Sequence, residues 1–360
     1  MSIFEYKIFR SNATEIGTAL QELFAQIDSD SLTPVRLVLF CNATTNEEYA
    51  HQRLLVEELC QNHYAELSPM LAVIAQRPFD AEFAAEVTFV DAESVKITRN
   101  NGYITLNDKI LLSGALYAST SDSITAQSDE IFQRLGDILQ KEGFEINDIV
   151  RQWNFIEKIT HLSDAGQNYQ QFNDARSRFY AKADWANGYP AATGIGTKCG
   201  GVTIMVDAVK QSDECSIPID NPLQVSAHAY SQRVLIDGDT ARHKSTPKFE
   251  RARKLDIGSN SMIYISGTAA IRGEESSPSN DIIEQLELTM DNISHLYNSE
   301  EYALSMLRIY LKHSSNWPIV KRWIENNYNE LPNIYIEADI CREELLVEIE
   351  AILNKRDKTR

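Results

Sequence analysis

The sequence describes an α+β protein assembled from tandem units, each a mixed sheet with helices packed on one face. Three observations lead there. Lys109-Ile-Leu-Leu-Ser-Gly-Ala-Leu-Tyr117 recurs as Met262-Ile-Tyr-Ile-Ser-Gly-Thr-Ala-Ala270, and self-similarity of this kind marks a repeated supersecondary unit. The segments after each copy alternate between helix-like and strand-like patterns in the same order, which is how an α+β layer reads. At 360 residues the chain also exceeds one ordinary core and suits two or three domains.

Residues 1–100 read as a degenerate first unit. Val35–Phe40, the helical stretch 46–60, Met70–Gln76 and Val87–Ala92 follow the order of a unit's second half, and Val87-Thr-Phe-Val-Asp-Ala92 echoes Val202-Thr-Ile-Met-Val-Asp-Ala208. Residues 101–212 hold the first clear unit. After a hairpin ending at Ser113-Gly114, Asp129–Leu139 spaces its apolar residues by three and four behind an acid in the first turn, as a helix requires. Gln152–Ile159 is β-rich with partial alternation, 168–181 reads as a second helix, and Gly201–Val209 closes the unit. Residues 213–256 are rich in Ser, Asp and Pro, with turn signals at Asn221-Pro222, Asp237-Gly238 and Thr246-Pro247. So long a connection either lines a pocket or is a solvated linker. Residues 257–354 repeat the unit through the helix Asp281–Ile293, the strand Leu307–Lys312, the helix Ile319–Asn327 and the closing strand Leu346–Ile352; 355–360 form a basic tail.

Fifty-two acids against 34 Lys and Arg leave a net charge of −18, which repels nucleic acid and anionic membrane surfaces. The five cysteines form no CxxC pair, so a reduced, cytoplasmic setting is expected. No stretch reads as a signal peptide or membrane span. The seven histidines show no HExxH, and neither a P-loop nor Gly-x-Ser-x-Gly is present, so no metal or nucleotide cofactor is expected.

Chemistry is best sought where the copies differ. Aligning Val206-Asp207-Ala208 with Ile349-Glu350-Ala351 pairs Glu350 with Asp207 and leaves Glu348 opposite Met205. Alternation puts Glu348 and Glu350 on one strand face, with Cα atoms about 6.5 to 7 Å apart. If that face is covered, one carboxyl has its pKa raised toward the range of a general acid. An edge strand with its acids in water is the alternative, but Leu345, Leu346, Val347, Ile349, Ala351 and Ile352 make this strand apolar on both faces. Cys199 and Cys341 occupy matching positions, with no adjacent His or Asn to activate a thiol.

Ser266-Gly-Thr-Ala-Ala270, the Asp281 helix, the Leu307 strand and Val347-Glu-Ile-Glu-Ala351 resemble the Rid (YjgF) fold, a chorismate-mutase-like unit that normally trimerises. More specifically, Gly188-Tyr-Pro-Ala-Ala-Thr-Gly-Ile-Gly196, Val206-Asp-Ala-Val209, Asn221-Pro-x-Gln-Val-Ser-Ala227, Thr246-Pro-x-Phe-x-Arg-Ala252 and Cys341-Arg-Glu-Glu-Leu-Leu-Val-Glu-Ile-Glu350 resemble the chorismatase family over about residues 100–353. The resemblance implies Rid-like units in a pseudo-threefold arrangement within one chain, as a monomer or small homo-oligomer. It further implies cleavage of chorismate to pyruvate and either 3-hydroxybenzoate or a dihydroxycyclohexadiene carboxylate, without a cofactor. Carried onto this sequence, it makes Glu348 the catalytic acid and Gln224, His228, Tyr230, Ala269 and Cys341 the residues around a small anionic substrate, chorismate or a close analogue. Arg251 and Lys312 are further candidate donors. Where the family usually supplies an Arg and a Tyr, this chain has Leu223 and His228. Cys341 resembles the 3-hydroxybenzoate-forming branch and Ala269 the hydrolytic one. A Rid-like imine or enamine hydrolase and a silent binding protein are the alternatives on the same scaffold.

Overall fold

A computed structural model describes residues 3–235 and 244–356. The turn signal Asp237-Gly238 and tail residues 357–360 lie outside the described residues. One six-element core occurs three times. The first unit runs β1 (Glu5–Ser11), α1 (Ile16–Ile27), β2 (Thr33–Phe40), α2 (Asn46–Tyr64), β3 (Met70–Ile74) and β4 (Phe83–Val90). The second runs β5 (Ile110–Ser113), α3 (Ile124–Glu142), β6 (Ile149–Glu157), α4 (Asn168–Tyr180), β7 (Ala191–Thr197) and β8 (Val202–Val209). The third runs β9 (Asn260–Ala269), α5 (Ile282–Ser294), β10 (Tyr302–Leu311), α6 (Trp317–Asn327), β11 (Asn333–Glu337) and β12 (Val347–Lys355). Their sheet orders are β3-β2-β4-β1, β7-β6-β8-β5 and β11-β10-β12-β9, with only the first pair of each parallel.

The first unit is therefore more complete than its sequence suggested. Its β1 and α1 escaped notice because β1 is a sheet edge with one exposed and mostly half-buried residues, which blurs the alternation. The proposed echo between 87–92 and 202–208 is also corrected by strand register. Arg36 faces Thr88 and Arg151 faces Asp207, so Thr88, not Asp91, is the counterpart of Asp207. In the connecting segment, Ser216–Ile219 and Ala252–Ile257 extend the third sheet beyond β9.

A capping side chain precedes four of these six helices, α4 and α6 beginning without one. Thr45 accepts from the Glu48 N–H at the start of α2, and Ser123 from the Ala126 N–H at the start of α3. Asp281 accepts from the Ile283 and Glu284 N–H groups ahead of α5. Such caps contribute about 1 kcal/mol each. Leu37, Leu39 and Val87 pack outward under α1 and α2, and Leu307, Ile309 and Ile349 under α5 and α6.

The opposite faces of all three sheets meet in a shared interior, where Val38, Phe40, Trp153, Met205, Tyr310 and Ile336 pack together. Strand alternation sends the intervening charged residues there too, and they pair across the units: Arg36 with Asp207, Arg151 with Glu350, and Arg308 with Glu86. No helix among the described residues is long and apolar enough to cross a membrane.

Candidate active site

β12 lies between β9 and β10, so the residues at its centre cannot reach water along a sheet edge. Glu348 sits opposite Ala269 and Tyr310, and Glu350 opposite Arg308. Both side chains turn to the shared interior, with exposures of 4% and 3%.

Their environments differ sharply. Arg151 Nη2 donates to Glu350 Oε2 at 2.6 Å, Trp153 Nε1 donates to Oε1 at 3.1 Å, and Arg308 Nη1 lies 2.8 Å from Oε1. The Thr193 hydroxyl donates to it as well. Burial alone would raise the Glu350 carboxyl, but Arg308 and Arg151, helped by these hydrogen bonds, outweigh it and hold the group below its ordinary range. Glu348 receives no such support: among the described residues none hydrogen-bonds to its carboxyl. Burial first, and then the Glu350 charge, push Glu348 from 4.5 up to about 8, against smaller opposing effects from Arg151 and Arg251. Two carboxyls two residues apart thus hold opposite protonation states at neutral pH, the signature of an assigned acid.

Glu348 opens onto a cleft between the second and third units, of about 800 Å³ with its mouth included. α4 and β7 form one wall through Tyr169, Asn173, Arg176 and Gly194. β9 supplies Gly267 and Ala269, the loop before β12 supplies Cys341 and Arg342, and the connecting segment supplies Tyr230, Phe249 and Arg251. The floor is tight at Gly267, where a Cβ would lie 2.1 Å from Glu348 Oε1. Gly267→Ala is accordingly expected to displace the Glu348 carboxyl and cut turnover by about 10²-fold, with the melting temperature as the check that the sheet survives. Unchanged turnover would show that the carboxyl's place does not matter.

Arg176, Arg251 and Arg342 are each at most 9% exposed and all face this cleft. Among the described residues none of the three forms an ion pair. Arg176 Nη2 donates to Asn173 Oδ1 (2.6 Å), Arg251 Nη2 to the Tyr230 hydroxyl (2.6 Å) and the Val225 carbonyl (2.7 Å), and Arg342 Nη1 to the Glu274 carbonyl (2.9 Å). Arg176 Nε, Arg251 Nε and Asn173 Nδ2 are buried without a partner. Buried guanidiniums without counter-ions are costly. Three of them around one acid, in a chain of net charge −18, are suited to a ligand that brings its own carboxylates.

Of the residues expected from the sequence, Glu348, Tyr230, Ala269 and Cys341 line the cleft, as does Arg251. Gln224 and His228 are not brought to it. The Gln224 amide instead donates to the Ile271 carbonyl (3.2 Å) and accepts from Asn221, locking the connecting segment. His228 packs on Tyr189, its Nδ1 3.8 Å from Glu250. Lys312 bonds Glu343. Burial, then the neighbouring Glu348, pushes the Cys341 thiol up to about 12, so it is no thiolate nucleophile. Sequence reasoning missed Arg176, Asn173, Tyr169 and Arg342. α4 buries Asn168, Gln170, Gln171, Asn173, Asp174 and Arg176, a polar load that in sequence reads as a solvated helix face and so gave no signal of a site.

The other two inter-unit positions are not equivalent. Register places Met205 and Glu86 where Glu348 stands. Met205 is packed in the apolar interior, and Glu86 is bound by Arg308.

Residues 87–208 match the family model described as Chorismatase FkbO/Hyg5-like, N-terminal. The chain is 26% identical over 309 residues to a 3-hydroxybenzoate synthase of Streptomyces hygroscopicus, spanning 81% of this chain and 86% of that protein. It is 30% identical over 226 residues to a chorismatase of Streptomyces rapamycinicus, spanning 57% and 64% respectively. A chorismatase crystal structure shares the fold over 98% of both chains, with a TM-score of 0.73 at 20% identity.

Proposed function

We propose that the chain, which belongs to the chorismatase family, cleaves the enolpyruvyl ether of chorismate by proton transfer from Glu348. Chorismate is a dianion, and Arg176, Arg251 and Arg342 offer the donors its two carboxylates need. Once the substrate is held, the Glu348 carboxylic acid gives its proton to the terminal vinylic carbon. A C–H bond forms, the π pair leaves the ether carbon, and that carbon becomes an oxocarbenium ion while Glu348 becomes a carboxylate. Arg151 and Arg251, the two cations acting on Glu348, stabilise that new charge.

Two outcomes balance from there. Water adding at the ether carbon gives a hemiketal that breaks to pyruvate and a dihydroxycyclohexadiene carboxylate. Loss of pyruvate with aromatisation of the ring, and no net uptake of water, gives 3-hydroxybenzoate. Cys341 and Ala269, on which the family resemblance leans in opposite directions, both border the cleft. The observation that carries the reading is a buried carboxyl facing a cleft it shares with three buried guanidiniums that form no ion pair among the described residues. Mass spectrometry of chorismate after incubation should show pyruvate with a ring acid, the two ring products differing by one water. Intact chorismate would overturn the proposal.

A further inference from the structure

No described residue of the first unit lines the cleft, yet a chain of ion pairs joins that unit to Glu350, the neighbour of the acid on β12. Glu86 on β4 accepts from Arg308 Nε at 2.9 Å and Nη2 at 2.6 Å, and the third nitrogen of the same guanidinium lies 2.8 Å from Glu350 Oε1. Glu350 is also held by Arg151 at 2.6 Å. All four groups are at most 3% exposed. Two anions and two cations make a neutral quartet, and Glu348 stands at its edge, two residues from Glu350 on the same strand face. We propose that Glu86 is a positioning residue for the reaction, acting through Arg308 and Glu350 to keep the proton on Glu348. This rests on the general-acid reading above.

The physics is charge balance in a dry interior. With the quartet neutral, an ionised Glu348 draws no net attraction from it, so burial, the largest influence on this carboxyl, keeps the anion unfavourable. Remove the Glu86 charge and the quartet carries an excess cation, which favours ionised Glu348. Remove the Arg308 charge and the excess becomes anionic, which opposes it further. The other groups facing Glu348 are Arg151, Arg251, Tyr169 and Cys341, with Arg176 and Arg342 on the same cleft and Tyr310 opposite on β10. None of them lies on the first unit. The sign follows: the acid is active when protonated, so pyruvate release falls as pH rises through its pKa, and anything that eases ionisation moves that alkaline limb to lower pH.

The test is the pH profile of kcat/KM for pyruvate release, with thermal melts to confirm folding. Glu86→Gln should move the alkaline limb down by about one pH unit, and Arg308→Gln should move it up. Asp207→Asn breaks the comparable inter-unit pair with Arg36, which forms no hydrogen bond or ion pair with the quartet or with Glu348, and should leave the limb in place. A merely structural role would weaken folding in all three without opposite shifts. If Glu86→Gln fails to fold, the direction in Arg308→Gln decides. A limb unmoved in folded Glu86→Gln, or shifted the same way in both variants, overturns the inference. Retained activity in Glu348→Gln would instead overturn the general-acid reading beneath it.

Discussion

Glu348→Gln should lower kcat for pyruvate release by about 10²–10⁴-fold, the range of a lost general acid, with the fold intact. The amide matches the carboxyl in shape but cannot surrender a proton to carbon. The site gives a reason to expect folding to survive, since no described residue hydrogen-bonds to the Glu348 carboxyl and no buried partner is orphaned. Linkage goes further. The folded pKa of about 8 stands above the ordinary 4.5, so between those values the folded chain holds a proton that the unfolded chain has released. This group's stabilising contribution is full below the unfolded pKa and is lost as pH rises through the folded one. Gln carries no such penalty, so the variant should melt at or above the wild-type temperature, most visibly near pH 8. A variant that is inactive because it is unfolded would contradict this.

Arg176→Met should cut kcat/KM by about 10²–10³-fold, as expected when a buried cation loses a carboxylate partner, chiefly through KM. Methionine replaces much of the packing against Phe172 but offers no donors. Arg176 has no acidic partner among the described residues and leaves Nε unpaired, so removing its charge relieves a desolvation cost. Melting temperature should therefore hold or rise while substrate affinity falls. Lysine should rescue poorly, because its point charge cannot copy the guanidinium fork. A variant with lost stability and unchanged KM would make Arg176 a scaffold residue.

The parts of this site legible in the sequence were those carried by periodicity within a single strand. Strand alternation and a comparison of two repeats sufficed to single out Glu348 and Glu350, and the apolar residues of the rest of that strand implied burial on both faces. What β12 packs against was not legible, because Arg151, Arg308 and Glu86 come from other sheets and local patterning holds no record of inter-unit contacts. Arg176 was hidden for a related reason. Seen alone, α4 looks like a solvated helix, and only the cleft explains why its polar face is buried. Gln224 and His228 were placed by resemblance, and the structure spends the Gln224 amide on the backbone instead. The missing half of the first unit shows the limit at an edge strand, where partial exposure along β1 dilutes the pattern.

An infrared difference spectrum between the wild-type protein and Glu348→Gln, recorded across a pH titration, tests the central claim most directly. The account predicts the carbonyl band of a protonated carboxylic acid at pH 7, fading into carboxylate absorption as pH passes about 8. A side chain already ionised at pH 6 would contradict it.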